Sequence, residues 1–131
     1  MTPFAPQLLA LVALGGAIGS IARYAVGILA IRWLGAGFPW GTMAVNVAGS
    51  AIIGLLGGAI ASGLPMSNEM RLLAITGFLG GFTTFSSFSL DTGTLFLRSP
   101  VLAAGYVALT LAGGLLAFAL TFEAMRRSYS P

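Results

Sequence analysis

The chain has very little charge: 7% of its 131 residues are charged, against 57% hydrophobic. A soluble domain carries about 25% charged residues. Cysteine and histidine are absent, and every basic residue is arginine. Without cysteine there is no disulfide and no thiolate chemistry. Without histidine the commonest general base and the commonest transition-metal ligand are gone. With no lysine either, a serine-based intramembrane hydrolase has little with which to activate its nucleophile. The six arginines and three acids leave a net charge of +3. That excess belongs to loops and tails near water and headgroups, not to a nucleic-acid patch. Met1-Thr-Pro-Phe-Ala-Pro has no positive charge ahead of the apolar stretch. The first hydrophobic segment is therefore expected to stay in the mature protein.

What remains is apolar, with a mean hydropathy of +0.98. A membrane helix needs about 20 apolar residues. Four segments qualify, over residues 7–31, 41–63, 70–97 and 101–124. This predicts an all-α, multi-pass integral membrane protein with one domain over residues 1–131. Trp33, Trp40 and Tyr129 fall at predicted edges, where amphipathic rings settle. Short connections make neighbouring helices antiparallel. Arg71, Arg126 and Arg127 then lie on one side, Arg32 and Arg98 on the other. Positive charge orients a bundle, and three against two barely decides. Single orientation and insertion both ways up, with opposed copies pairing, both stay open.

The most informative run is Gly77-Phe-Leu-Gly80-Gly81-Phe-Thr83-Thr84-Phe85-Ser-Ser-Phe88-Ser, inside the third span. It places glycines and five hydroxyl side chains at bilayer depth. Non-helical backbone survives there only when buried in protein or lining a wet cavity. The run predicts a third helix broken at mid-membrane, with freed carbonyls and amides able to hold ions.

Other polar residues accompany it. Arg23 lies more than two helical turns from the nearer end of the first span, and charge at that depth is by default functional. It either faces an interior cavity or pairs with Asp91. Thr42 and Asn46 share a helix face, as do Tyr106 and Thr110. Asn46 is either an anion-solvating amide or interhelical glue, and Tyr106 either joins a polar track or anchors the helix at the membrane edge. Phe85 and Phe88 are three apart, beside a stripe of Thr84, Ser87 and Asp91. Ring edges are positive and can partner an anion, although such spacing usually means core packing. Asp91 sits roughly 10 Å inward of Arg98 at helical rise, a depth that suits a vestibule. The pairs Gly15/Gly19, Gly54/Gly58 and Gly77/Gly81 suit close helix approach, within one bundle or across a dimer.

Three stretches together resemble the CrcB/Fluc family of small fluoride channels. They are Gly15-Gly-Ala-Ile-Gly19-Ser-Ile-Ala-Arg23-Tyr24, Gly41-Thr42-Met-Ala-Val-Asn46-Val-Ala-Gly49 and the Gly77–Ser89 run. The resemblance implies an antiparallel dual-topology homodimer in the bacterial inner membrane, passing fluoride passively through two pores. It also implies a structural sodium ion at the dimer centre, held by backbone carbonyls that match Gly80 and Thr83. Pore residues would match Phe85, Phe88, Asn46, Thr42 and Arg23, with Thr84, Ser87, Thr110 and Tyr106 on the polar track. Two positions depart from the pattern. Asp91 stands where relatives often carry Glu, and Gly114 replaces a further hydroxyl. The rival reading is a small multidrug-type, proton-coupled exporter. It wants a carboxylate in its first helix, and this chain has none there. A purely structural subunit would not need the hydroxyl and Asn track.

Overall fold

The computed structural model describes residue 2 and residues 4–129. These are all-helical, with four helical segments long and apolar enough to cross a membrane: Pro6–Leu34, Trp40–Ala61, Asn68–Arg98 and Pro100–Ser128. The protein is a multi-pass membrane protein. Each span runs to within a few residues of its predicted limits.

The boundaries have local causes. Helix α1 (Pro6–Leu34) starts with proline in its first turn, where the missing N–H is not needed. It stops at Gly35, whose φ of 82° suits glycine. Helix α2 (Trp40–Ala61) gives way to Ser62 and then Gly63, with φ 87°. Ser67 caps the short α3 (Asn68–Arg71) by accepting from the Met70 amide at 3.2 Å. Helix α6 (Pro100–Ser128) is likewise capped by Ser99, which accepts from the Leu102 amide at 3.3 Å.

The third span is not uniform. Beyond α3 comes a π-helix over Leu72–Leu79, which hydropathy alone does not announce. Next is a single turn, α4 (Gly80–Phe82), and Thr83 and Thr84 follow in extended conformation (ψ 158° and 116°). Helix α5 (Phe85–Arg98) completes the span. π-Helical turns inside helices often occur at functional sites.

Glycine seams join the spans. On α1, a side chain at Gly15 would overlap the Leu73 carbonyl and the Phe78 amide. One at Gly19 would overlap the Phe78 carbonyl and the Phe82 amide. From the other side, Gly81 meets the Gly16 carbonyl. On α2, Gly54 and Gly58 face Phe118, Thr121 and Phe122 of α6. The Thr121 hydroxyl adds a bond across that seam, donating to the Ala51 carbonyl at 2.9 Å. Thus all three glycine pairs are used for packing within one chain, where backbone proximity supplies the van der Waals contact that lipid cannot out-compete.

At one end, Arg98 Nη1 donates to the Gly37 carbonyl at 3.4 Å. At the other, Glu123 pairs with Arg126 at 3.0 Å and Arg127 at 2.8 Å. The aromatic core lies nearer the Arg98 end. Tyr106 is fully buried there, edge-on to Phe38 at 5.5 Å and tilted against Phe88 at 5.3 Å.

Candidate functional site

The site is built around the two extended threonines. In an uninterrupted helix the Thr84 amide would bond the Gly80 carbonyl, and the Ser87 amide the Thr83 carbonyl. Neither bond has its donor. The Thr84 amide donates instead to Asn46 Oδ1 at 2.7 Å. The Ser87 amide donates to Thr84 Oγ1 at 3.1 Å, as a helix cap. The Gly80 and Thr83 carbonyls are thus left without these intrahelical donors, which serve side-chain oxygens of Asn46 and Thr84 where the backbone is extended. Asn46 also donates from Nδ2 to the Thr84 carbonyl at 3.0 Å, so its amide grips both polar groups of one residue. It thus joins α2 to the interrupted segment while still lining the adjacent cavity.

Thr83 turns back on its own helix. Its amide and its hydroxyl both donate to the Leu79 carbonyl, at 3.0 and 2.8 Å. Among the described residues no three His, Cys, Asp or Glu side chains gather. The oxygen donors here for a hard cation are main-chain carbonyls, a donor type suited to such ions.

Three cavities lie around this region. The first, about 440 Å³, is lined by Asn46, Gly80, Thr83, Thr84, Phe88 and Thr110 among others. The second, about 300 Å³, is lined by Ser20, Arg23, Tyr24, Thr42, Thr84 and Ser87. The third, about 270 Å³, includes Phe38, Trp40, Thr42, Asp91, Thr94 and Arg98. Thr84 belongs to the first and second, and Thr42 to the second and third. Arg23, Thr42, Asn46, Thr84, Ser87, Asp91 and Thr110 line these spaces, whereas the fully buried Tyr106 lines none of the three.

Individual positions differ in kind. Phe88 is 8% exposed and Phe85 75%, although their rings lie 5.6 Å apart. Phe88 is part of the core, and Phe85 has no such enclosure within the chain. Thr110 is buried, and its hydroxyl has no hydrogen-bond partner among the described residues. Tyr106 donates to Asp91 Oδ2 at 3.3 Å, so it is an interior residue and not an edge anchor. Arg23 is half-buried and makes no ion pair with Asp91 among the described residues. It lines its cavity together with hydroxyl side chains.

Some lining residues escaped the sequence reading. Ser50 lines the first cavity and donates to the Asn46 carbonyl at 2.8 Å. It continues the Thr42–Asn46 face one turn further, so the same spacing argument would have found it. Ser20, three residues before Arg23 and four before Tyr24, was open to the same argument, whereas Phe38 stands in no polar periodicity.

The model of the family described as CrcB-like protein, Camphor Resistance (CrcB), matches residues 10–122. Curated relatives named fluoride-specific ion channel FluC are similar over most of their length. One from Rhizobium etli (strain CIAT 652) is 60% identical over 99 residues, covering 75% of this chain and 79% of its own. One from Agrobacterium fabrum is 57% identical over 104 residues, covering 79% and 83%. One from a Chelativorans species is 54% identical over 110 residues, covering 83% and 88%. The match takes in all four spans and every residue assembled around Thr83 and Thr84: this chain belongs to the CrcB family.

Proposed function

We propose that this chain is a fluoride-selective channel of the bacterial inner membrane, working as an antiparallel, dual-topology homodimer with a structural sodium ion. The observation that carries the reading is the polar cavity beside the extended threonines, taken with relatives named as fluoride-specific ion channels. Fluoride is small and strongly hydrated. A pore that strips its water must supply several donors without a full charge that would trap it, since conduction needs binding that is favourable yet weak enough to release.

This chain carries such donors. Arg23, with Ser20 and Ser87 beside it, makes an electropositive collecting point. The partnerless hydroxyl of Thr110 is free to donate to an anion. The edges of Phe85 and Phe88 offer positive ring rims. The second N–H of Asn46 remains after Nδ2 has served the Thr84 carbonyl. Thr42 and the Tyr106–Asp91 pair shape the far vestibule. In this reading the interruption at Thr83–Thr84 lies at mid-bilayer depth. The Gly80 and Thr83 carbonyls fit a sodium ion because both have lost their helical donors. A second, opposed copy would bring the same two carbonyls and would cover the exposed Phe85. The ion's contribution is to hold the two interruptions together.

The membrane potential drives the export. Each anion gains about 2.3 kcal/mol per 100 mV, inside negative, on leaving the cell. The biological role is relief of cytoplasmic fluoride stress. A proton-coupled exporter has no support here: the ionisable side chains of the first span are Arg23, Tyr24 and Arg32, with no carboxylate.

The test uses purified protein in potassium-loaded liposomes, with anion efflux followed by electrode after addition of a potassium ionophore. Rapid fluoride efflux without chloride efflux is expected. Equal release of both ions, or of neither, overturns the proposal.

A further inference from the structure

We infer that Gly49 is the residue that sets the position of the Thr83 carbonyl, and so acts as a positioning residue for the proposed sodium site. This rests on the sodium reading above. Gly49 is a buried residue of α2, three positions beyond Asn46. Asn46 and Gly49 therefore share a helix face, and together they meet the two consecutive extended residues. Asn46 holds the backbone of Thr84. Gly49 receives the side chain of Thr83: a Cβ at position 49 would overlap the Thr83 methyl, Cγ2, with the Thr83 Cβ itself 3.7 Å away.

Thr83 has no easy way to yield. Its hydroxyl donates to the Leu79 carbonyl at 2.8 Å, the same oxygen that its amide reaches at 3.0 Å. A β-branched side chain is stiff about its first torsion. With Oγ1 tied to Leu79, the methyl must point at α2. Anything larger than hydrogen at position 49 must then either break the hydroxyl bond or push the Thr83 backbone. The second path moves the carbonyl. The Phe82 ring, 3.6 Å from the same Cβ position, limits sideways escape. Overpacking in an ordered interior is relieved by backbone shifts, and here the backbone that shifts is the proposed ligand.

The geometry supplies its own compensating change. Thr83→Ser removes the methyl but keeps the hydroxyl and the carbonyl. Gly49→Ala is therefore disruptive beside Thr83 and tolerated beside Ser. The experiment compares wild type, Gly49→Ala, Thr83→Ser and the double variant, with Gly105→Ala as a control because a Cβ there meets nothing within 4 Å. Two quantities are read. One is the thermal midpoint in sodium chloride against N-methylglucamine chloride, which reports binding to the folded protein. The other is fluoride efflux.

Wild type, Thr83→Ser and Gly105→Ala are expected to gain stability with sodium. Gly49→Ala should need about tenfold more sodium for half the effect, and the double variant should return to within about threefold of Thr83→Ser, as coupled neighbours do. If Gly49→Ala yields no assembled protein, the double variant must restore assembly. Wild-type sodium dependence in Gly49→Ala, or a double variant no better than Gly49→Ala alone, overturns the inference. A wild type indifferent to sodium instead sinks the sodium reading. Gly49 is then judged on rescue of assembly and efflux, and absence of rescue there overturns it too.

Discussion

Asn46 and Thr84, 38 residues apart, are joined by two hydrogen bonds: the Thr84 amide to Oδ1 at 2.7 Å and Nδ2 to the Thr84 carbonyl at 3.0 Å. One side-chain amide thereby does for an extended residue what a neighbouring strand does in a sheet. Within a membrane-spanning segment, non-helical backbone is tolerated where the protein satisfies its polar groups, and this clamp does so for both groups of Thr84. The same pair deprives Gly80 of its helical donor, so the stabilisation of one backbone group and the release of another are a single event.

Removing this amide should be felt in stability first. Asn46→Ala removes the side-chain partner of both main-chain groups of Thr84, which costs about 2–6 kcal/mol at about 1–3 kcal/mol for each buried orphan. Asn46→Asp keeps the acceptor for the Thr84 amide and loses the donor, so its stability should fall between the two. It also places a negative charge beside the anion route, and fluoride efflux should be abolished. Denaturation midpoints in detergent and liposome efflux check both parts. Asn46→Ala with wild-type stability would show that the clamp is dispensable.

The two phenylalanines should separate. Phe88 is packed against Tyr106, so Phe88→Ala should lose about 3 kcal/mol of stability as well as fluoride flux. Phe85 is 75% exposed within one chain, so Phe85→Ala should lose flux and destabilise the protein only as far as a partner chain covers the ring. Circular dichroism melts alongside efflux distinguish them. Equal melts for the two variants would show that a partner chain covers Phe85 as fully as the core covers Phe88, and wild-type flux in both would return the rings to packing alone.

Helix seams set a third expectation. A methyl at Gly19 would overlap the Phe78 carbonyl, so Gly19→Ala should destabilise by about 1–3 kcal/mol through overpacking. Gly105→Ala should be neutral, since nothing lies within 4 Å of a Cβ there. The yield of monodisperse protein by size-exclusion chromatography reads this directly.

Arg23 offers an electrostatic test. It makes no ion pair with a carboxylate among the described residues, so Arg23→Gln should leave stability near wild type. Its loss should cut fluoride flux about tenfold at low ionic strength by removing a steering charge. The deficit should shrink in high concentrations of an impermeant salt, because screening weakens the same field in wild type. A deficit independent of salt would mean that Arg23 acts by contact and not at a distance.

Tyr106→Phe keeps the ring among Phe38 and Phe88 and deletes only the hydroxyl that reaches Asp91. Stability should change by about 1 kcal/mol or less. Asp91→Asn keeps an oxygen that can accept from the Tyr106 hydroxyl in the 3.3 Å contact and loses only the charge, so its flux should stay near wild type. A large effect of Asp91→Asn alone would assign the carboxylate a role beyond holding Tyr106.

The four spans were legible from the chain itself, because hydropathy and length are local properties and lipid demands both. So were the place of Arg23 well inside the first span, the glycine pairs at packing distance and the unusual hydroxyl content around Thr83 and Thr84. Folding decided what these features touch. Glycine spacing is the same for a seam within a chain and for one between chains. Only the approach of Gly15 and Gly19 to the backbone of Leu73, Phe78 and Phe82 assigned it. Hydropathy cannot tell an α-helix from the π-helix of Leu72–Leu79, since the two differ in which carbonyl an amide meets. No periodicity joins Asn46 to Thr84 or Asp91 to Tyr106. Hydrogen bonds between separate helices depend on which polar group stands opposite, and that is fixed only once the helices have packed.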